Sequence, residues 1–165
     1  MILTIDPGIR FAAVTIFTED GDVKYSETIK FNGKHSQEKR MYEFYEILCN
    51  LSKEYDVKVV VAESQFVQIM GNIVGMIMTY AGFAEAKLVR MNPSQWKKLS
   101  TGKGNISEAE LREKIINIFP FADAYSEHQI DTLGMYLAYK NQETGDATPA
   151  KKPSKRKNTR KNKLP

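Results

Sequence analysis

Four polar side chains fall where predicted secondary-structure elements end or begin, and their types suit metal binding or proton transfer. Asp6 ends the first predicted strand and Glu63 ends the fourth. His128 and Asp131 are three residues apart at the start of the last predicted helix, so they share one face of it. Carboxylate oxygens hold hard divalent cations, and a neutral imidazole can bind a metal or transfer a proton. If the first and fourth strands are neighbours, the last helix needs only to pack across their ends to bring the four groups together.

Each of these residues also has a purely structural interpretation. Asp6 precedes Pro-Gly and could be an ordinary turn residue. Glu63 could be a solvated charge where a buried strand reaches the surface. The helix dipole favours an acid such as Asp131 early in a helix, and His128 could be a partly exposed polar residue. Spacing alone leaves both interpretations open.

The elements that must position these groups follow from hydrophobic periodicity and turn signals. Residues 2–6, 11–17 and 23–31 are predicted to form an antiparallel meander, and the apolar runs 57–62 and 87–91 predict two further strands. The predicted helices cover residues 36–55 and 69–84, and two more begin at the capping boxes Ser107/Glu110 and Ser126/Gln129. A short helix at Asn92 is counted with the loop that follows the fifth strand, and residues 100–105 are predicted to be a loop. The element order βββαβαβαα indicates an α/β fold with a five-stranded mixed sheet flanked by helices.

The charge of the chain is divided between two regions. The 165 residues carry 24 Lys and Arg against 20 Asp and Glu, a formal net charge of +4. Eight of the cations and none of the acids lie in residues 151–165, so 16 cations face 20 acids in the remainder. We therefore predict one domain over residues 1–141 and a basic, disordered tail over residues 142–165. The tail could attract nucleic-acid phosphates, or it could serve solubility or nuclear import.

Cysteine content and hydropathy limit the possible environments. Cys49 is the single cysteine, which excludes a disulfide framework and a cysteine zinc cluster and suits a reducing compartment. No export signal is visible at the start of the sequence. The most apolar stretch, residues 69–84, is too short and too polar to span a membrane. We expect a cytoplasmic protein without a membrane partner.

Three sequence blocks resemble the RuvC family of Holliday junction resolvases. They are Ile-Leu-Thr-Ile-Asp-Pro-Gly at residues 2–8, Val-Val-Val-Ala-Glu-Ser-Gln-Phe at 59–66, and His-Gln-Ile-Asp-Thr-Leu-Gly from His128 onward. The match covers about residues 1–140, and Thr132 stands where the family usually has alanine. The Pro-Ser-Gln-Trp-Lys-Lys segment and the basic tail make the chain more similar to compact phage or viral members than to the cellular protein.

The resemblance implies an RNase H-like nuclease domain that cuts branched DNA in recombination and repair, as a homodimer. It implies that Asp6, Glu63, His128 and Asp131 are catalytic and hold metal, with two Mg²⁺ ions that Mn²⁺ could replace. Such a protein would be associated with nucleoid or viral DNA, or would be nuclear in a eukaryotic host or virus.

DNA contacts are implied at further positions. Phe66 falls where the family inserts an aromatic at the junction crossover, with core packing as the less favoured alternative. Lys97, Lys98 and Lys103 fall where the family contacts phosphates, with a solvated helix face as the alternative. The tail, which lies outside the resemblance, adds candidate phosphate contacts at Lys151, Lys152, Lys155, Arg156 and Lys157.

Other functions and a possible dimer contact remain open at this point. A non-catalytic DNA-binding accessory protein of the same fold would lack one of the four residues. A related small RNA-processing nuclease family shares the opening aspartate but differs at the fourth strand, and 165 residues are too few for a two-domain actin-like kinase. Gly71 and Gly75 permit a close helix contact, either between subunits of a dimer or with the chain's own sheet.

Overall fold

A computed structural model describes residues 1–64 and 68–145 of the chain. The strands are β1 Ile2–Asp6, β2 Phe11–Phe17, β3 Val23–Lys30, β4 Val59–Glu63 and β5 Lys87–Met91. The helices are α1 Gln37–Tyr55, α2 Gln68–Phe83, α3 Pro93–Thr101, α4 Glu108–Ile118 and α5 Glu127–Thr144, with a 3-10 helix at Pro120–Ala124. Phe66 and the predicted tail beyond Gly145 lie outside the described residues.

The five strands form one mixed sheet in the order β3-β2-β1-β4-β5. β1 and β2, like β2 and β3, are antiparallel, whereas β4 runs parallel to both β1 and β5. The predicted five-stranded mixed sheet is confirmed. β1 lies at the centre of the sheet, between β2 and β4. Because β1 and β4 are neighbours, Asp6 at the end of β1 lies beside Glu63 at the end of β4.

Helices cover both faces of the sheet, and each face has its own apolar core. On the first, which we call the α1–α2 face, Phe44, Leu48 and Ile77 pack against the alternate strand residues that include Leu3 and Ile5. On the second, which we call the α5 face, helices α3, α4 and α5 bury Trp96, Leu111 and Leu133 against Ile2 and Val61. The period of two in a strand sends successive side chains to opposite faces, which is why each strand contributes to both cores.

Side-chain caps fix where the helices begin. The Ser36, Asn92 and Ser107 side chains each accept a hydrogen bond from the backbone N–H three residues later, and Pro93 opens α3. Ser126 and Gln129 form the capping box predicted for α5. These caps place the start of α5, and so His128 and Asp131, at a defined point of the chain.

Local boundaries differ from the sequence-based expectation by more than one residue in three places. β4 begins at Val59 rather than at Val57, because Val57 is buried without pairing in the ladder. The loop predicted over residues 100–105 is shorter, since Ser100 and Thr101 complete α3 before Gly102 ends the helix in the left-handed conformation. α5 continues to Thr144, beyond residue 141.

The turn between β1 and β2 requires glycine. A Cβ at Gly8 would lie 2.0 Å from the backbone oxygen of Phe11, so no other residue fits without moving the chain. The turn folds β2 back immediately beside Asp6. In the described ranges, no helix has the length and apolar character needed to cross a membrane.

Candidate active site

Asp6 and Glu63 lie side by side at the end of the central parallel strand pair. The β1–β4 register pairs Ile5 with Ala62, and the next residue along each strand is the carboxylate. Both side chains are on the α5 face. Ile2 and Val61, which lie an even number of residues earlier in the same strands, are on that face too. They are 7% and 5% exposed, which is unusual for acids and argues against the solvated-charge interpretation of Glu63.

A chain of hydroxyl groups docks the start of α5 on the sheet. Thr132 shares a hydrogen bond of 2.6 Å with Thr15 on β2, and Ser126 shares one of 2.6 Å with Thr28 on β3. Gln129 donates to Ser26 at 3.0 Å. Thr132, at the position where the RuvC family usually has alanine, is therefore a fully buried contact between helix and sheet. These bonds fix the rotation of α5 that turns His128 and Asp131 towards the strand ends.

His128 is bound directly to Asp6. Its Nδ1 lies 2.7 Å from Asp6 Oδ2, and this hydrogen bond raises the pKa of His128 above its usual value. The His128 side chain is 47% exposed and the Asp6 side chain 10% exposed, so the pair joins a buried acid to solvent. The ring of Phe11 stacks on the His128 ring with centroids 6.2 Å apart.

Glu63 is held by a tryptophan that the sequence did not mark as functional. The buried Trp96 Nε1–H donates to Glu63 Oε2 at 2.7 Å. Trp96 in turn packs on α5 at Gly134, where a Cβ would lie 2.6 Å from its ring. Trp96 is the only tryptophan of the chain and belongs to the Pro-Ser-Gln-Trp-Lys-Lys segment, which was the available signal.

Asp131 completes the cluster, and its pKa is shifted by burial and by the neighbouring charges. Burial raises the pKa of its carboxyl from 3.8 to about 7, and the charges of Asp6 and Glu63 add to the rise. Lys97 and His128 oppose it. The four predicted residues are thus brought together, with more negative charge than the surrounding cations compensate.

The predicted lysines differ in their surroundings. Lys97 acts on Asp131 and lies over the Trp96 ring at 5.3 Å, so it belongs to the cluster. Lys98 is exposed on α3. Lys103 is engaged in an ion pair of 2.7 Å with Glu110. Phe66 and the tail cations Lys151, Lys152, Lys155, Arg156 and Lys157 lie outside the described residues.

Three carboxylates and an imidazole form a donor set that fits a hard divalent cation. The pKa of Asp131 is raised first by burial and then by the charges of Asp6 and Glu63, and a bound cation would oppose both effects. No three His, Cys, Asp or Glu side chains within residues 1–64 and 68–145 are already arranged to grip one ion. Asp6 is paired with His128 and Glu63 with Trp96. The donors fit a cation in type and charge, and binding requires some of them to turn.

The five-stranded mixed sheet flanked by helices is an α/β fold similar to that of solved RuvC structures. Thermus thermophilus RuvC superposes with a TM-score of 0.73 at 19% identity over 88% of this chain and 96% of RuvC. T. thermophilus RuvC in complex with a Holliday junction substrate gives 0.76 at 18% identity, over 88% and 96% of the two chains. The fowlpox virus resolvase, in complex with Holliday junction DNA, gives 0.56 at 14% identity over 84% and 99%.

At these identities the comparisons establish the fold, and they confirm the fold predicted from the three sequence blocks. No family model matches the chain, and no curated protein matches it in sequence. The assignment of chemistry therefore rests on the side chains described above.

Proposed function

We propose that this protein is a divalent-metal-dependent endonuclease that cuts four-way DNA junctions. One observation carries the proposal: Asp6, Glu63 and Asp131 converge with His128 at the centre of a RuvC-like sheet, where the pKa of Asp131 is raised to about 7. A structural ion-pair network would bring cations to such a cluster, whereas this one remains rich in negative charge. The two solved structures that contain Holliday junction DNA support the choice of substrate.

The cluster suggests a division of labour among its residues. Mg²⁺, when bound, would activate water and neutralise the charge that develops on the phosphodiester. Asp6, central in the sheet and next to both Glu63 and His128, would take part in holding both ions. Glu63 would help to hold one ion and Asp131 with His128 the other. His128 is also exposed enough to exchange a proton with solvent while Asp6 holds its Nδ1 side.

Cations around the cluster would bind the phosphates next to the scissile bond. Lys97 already faces the carboxylates, and Lys98 is exposed on the same helix. Lys103 would have to leave Glu110 to take part. We also propose that the basic tail adds non-specific attraction to DNA, which the acidic remainder of the chain needs.

A homodimer would match the twofold symmetry of a four-way junction, and α2 offers a surface for it. A Cβ at Gly71 or Gly75 would meet no atom of the described chain within 4 Å, so these glycines are not needed for packing on the chain's own sheet. Met78, about one turn after Gly75 on the same side of the helix, is 48% exposed. We propose that a second copy covers this face of α2.

The test compares substrates in one assay. Purified full-length protein is incubated with Mg²⁺ and a four-way junction, a fork, a linear duplex or an RNA–DNA hybrid of matched length. We expect paired nicks in the junction, weaker or no cutting of the duplex and hybrid, and complete loss of cutting with a chelator. Sedimentation of the same sample should show a dimer.

Preferential cutting of the hybrid would instead indicate an RNA-processing nuclease. Junction binding with no cleavage under any divalent metal would overturn the catalytic proposal in favour of an accessory protein. A monomer at working concentration would overturn the dimer alone.

A further inference from the structure

A basic groove opens beside the carboxylate cluster towards the β3 edge of the sheet, whereas α3 follows β5, the strand at the opposite edge. It lies where β2 begins, β3 ends and α1 starts, and Arg10, Lys30 and Arg40 line it. Its described lining contains no carboxylate. The groove is thus opposite in charge to the cluster next to it, and its described lining does not include Lys97, Lys98 or Lys103.

Phe11 connects this groove to the cluster. It is 39% exposed, although the remaining residues of β2 are fully covered. One side of its ring stacks on His128 with an interplanar angle of 18°, and Lys30, its register partner on β3, places Nζ 5.9 Å from the ring centroid. A single exposed phenylalanine needs no explanation, but an aromatic between a basic groove and an active-site histidine does.

The cations of the groove divide into a structural one and two exposed ones. Arg40 Nη1 donates to the backbone oxygen of Ile9 at 3.0 Å and so braces the turn that presents Phe11. Arg10 directly precedes Phe11 in the chain, and Lys30 is its partner in the β2–β3 ladder. Both cations are exposed. Exposed cations beside a partly exposed aromatic ring are the elements with which proteins bind unpaired nucleic acid: charges for the phosphates and a ring on which a base can stack once the Lys30 ammonium moves aside.

We propose that this groove binds an unpaired DNA segment immediately next to the scissile phosphate, with phosphates on Arg10 and Lys30 and a base against Phe11. The inference rests on the proposed nuclease function, because it assigns the groove to the same DNA strand. It places the cluster between two basic regions. One is Lys97 and Lys98 on α3, which follows β5, and the other is the groove at β2 and β3. The junction centre, where strands exchange and bases can leave the stack, supplies such a segment.

The test measures binding without divalent metal, so that cleavage does not contribute. Fluorescence anisotropy follows a labelled oligothymidylate, a labelled linear duplex and a labelled four-way junction over a range of salt concentrations. Arg10→Ala and Lys30→Ala should each lower the slope of log affinity against log salt by about 0.7 for the oligothymidylate. Phe11→Leu, which keeps an apolar side chain, should weaken its binding about tenfold and leave the slope unchanged.

Matched controls lie elsewhere on the surface. Lys24→Ala removes an exposed cation from the other end of β3, and Phe121→Leu alters an exposed phenylalanine on the 3-10 helix. Both should bind all three probes as the unaltered protein does. Thermal unfolding of every variant separates lost binding from lost folding.

The results also separate the groove from the nuclease proposal. Either of two results would overturn the groove proposal even if junctions are cut. In the first, the Phe11→Leu and Lys30→Ala proteins bind the oligothymidylate as the controls do. In the second, the unaltered protein does not bind it. Equal losses on duplex and oligothymidylate would overturn the assignment to unpaired DNA. A protein that shows the expected binding pattern but never cuts would retain the groove and lose the nuclease function.

Discussion

The two faces of the central sheet differ in what they bury. The α1–α2 face packs an apolar cluster around Phe44, Leu48 and Ile77. The α5 face has an apolar core too, but it also holds every buried threonine, aspartate and glutamate of the described chain: Thr4, Asp6, Thr15, Glu63 and Thr132. One face therefore stabilises the fold, whereas the other gives up part of that stabilisation to hold charges in place.

The polar residues of the α5 face fall into two groups with different roles. Thr4, Thr15 and Thr132 satisfy one another or the backbone, so their burial costs little. Asp6 and Glu63 raise the pKa of the buried Asp131, so ionising Asp131 beside them is unfavourable until a cation is present. Stability and activity should accordingly respond to substitution on different faces, and each experiment below tests that separation.

The largest effect on folding is expected on the α1–α2 face. Leu48→Ala removes a fully buried side chain between α1 and the sheet and should lower the free energy of unfolding by about 2–5 kcal/mol. The cleavage rate of the protein that remains folded should not change. Denaturant unfolding and a junction assay below the transition measure both. Ile118→Ala, at a position 53% exposed, should change stability by less than about 0.5 kcal/mol.

On the α5 face, removing a charge should stabilise the metal-free protein. The pKa of Asp131 is about 7 in the fold against 3.8 ordinarily, so its stabilising protonated form is complete below 3.8 and is lost as the pH rises through about 7. Asp131→Asn should therefore be more stable than the unaltered protein by up to about 4 kcal/mol near pH 8, and by less near pH 5. Thermal unfolding in chelator at both pH values checks this.

Magnesium provides the internal control for that comparison. Adding Mg²⁺ should stabilise the unaltered protein and narrow the difference, because binding to the folded state alone raises stability. An Asp131→Asn protein no more stable than the unaltered one at high pH would show that the cluster is already neutralised.

A smaller effect is expected at the contact that positions Glu63. Trp96→Phe keeps the aromatic packing against Gly134 but removes the N–H that donates to the carboxylate. Supporting contacts of this kind are worth about 10–100-fold in metal affinity or activity. We expect half-maximal cleavage to require more Mg²⁺, with junction binding in chelator unchanged.

Tyr80→Phe is the matched variant on the opposite face. It removes a buried hydroxyl that bonds to Ser52, far from the cluster, and should leave the Mg²⁺ requirement as it was. Because Trp96 is the only tryptophan, its fluorescence in the unaltered protein should also respond to Mg²⁺. If the Trp96→Phe and Tyr80→Phe proteins need the same Mg²⁺ concentration for half-maximal cleavage, Trp96 contributes only packing and does not position Glu63.

Much of the fold was accessible from the sequence because its signals are local. The apolar runs that end at Asp6 and Glu63 and the capping box at Ser126 and Gln129 each lie within a few neighbouring residues. They fixed the strand ends and the start of α5, which is enough to bring the four candidate residues together once the sheet order is known. From the sequence, the pairing of β1 with β4 was only a condition, and the structure shows that it is met.

The contacts between distant segments were not accessible. Trp96 reaches Glu63 only because Gly134 lets α3 approach α5, and no pattern near any of the three residues indicates that packing. The same holds for Thr132, whose partner Thr15 is 117 residues away. Phe11 reads as an ordinary strand residue until β3 and α5 place Lys30 and His128 around it.

The most direct test of the account is Asp6→Asn compared with Asp20→Asn, an equal change at an exposed acid in the β2–β3 turn. Cleavage of a four-way junction in Mg²⁺ and junction affinity in chelator are measured for both. We expect the cleavage rate of Asp6→Asn to fall by far more than the roughly 100-fold that is typical of a supporting contact, while its junction affinity is retained. Asp20→Asn should cut normally. An Asp6→Asn protein that still cuts junctions at a rate close to that of Asp20→Asn would contradict it.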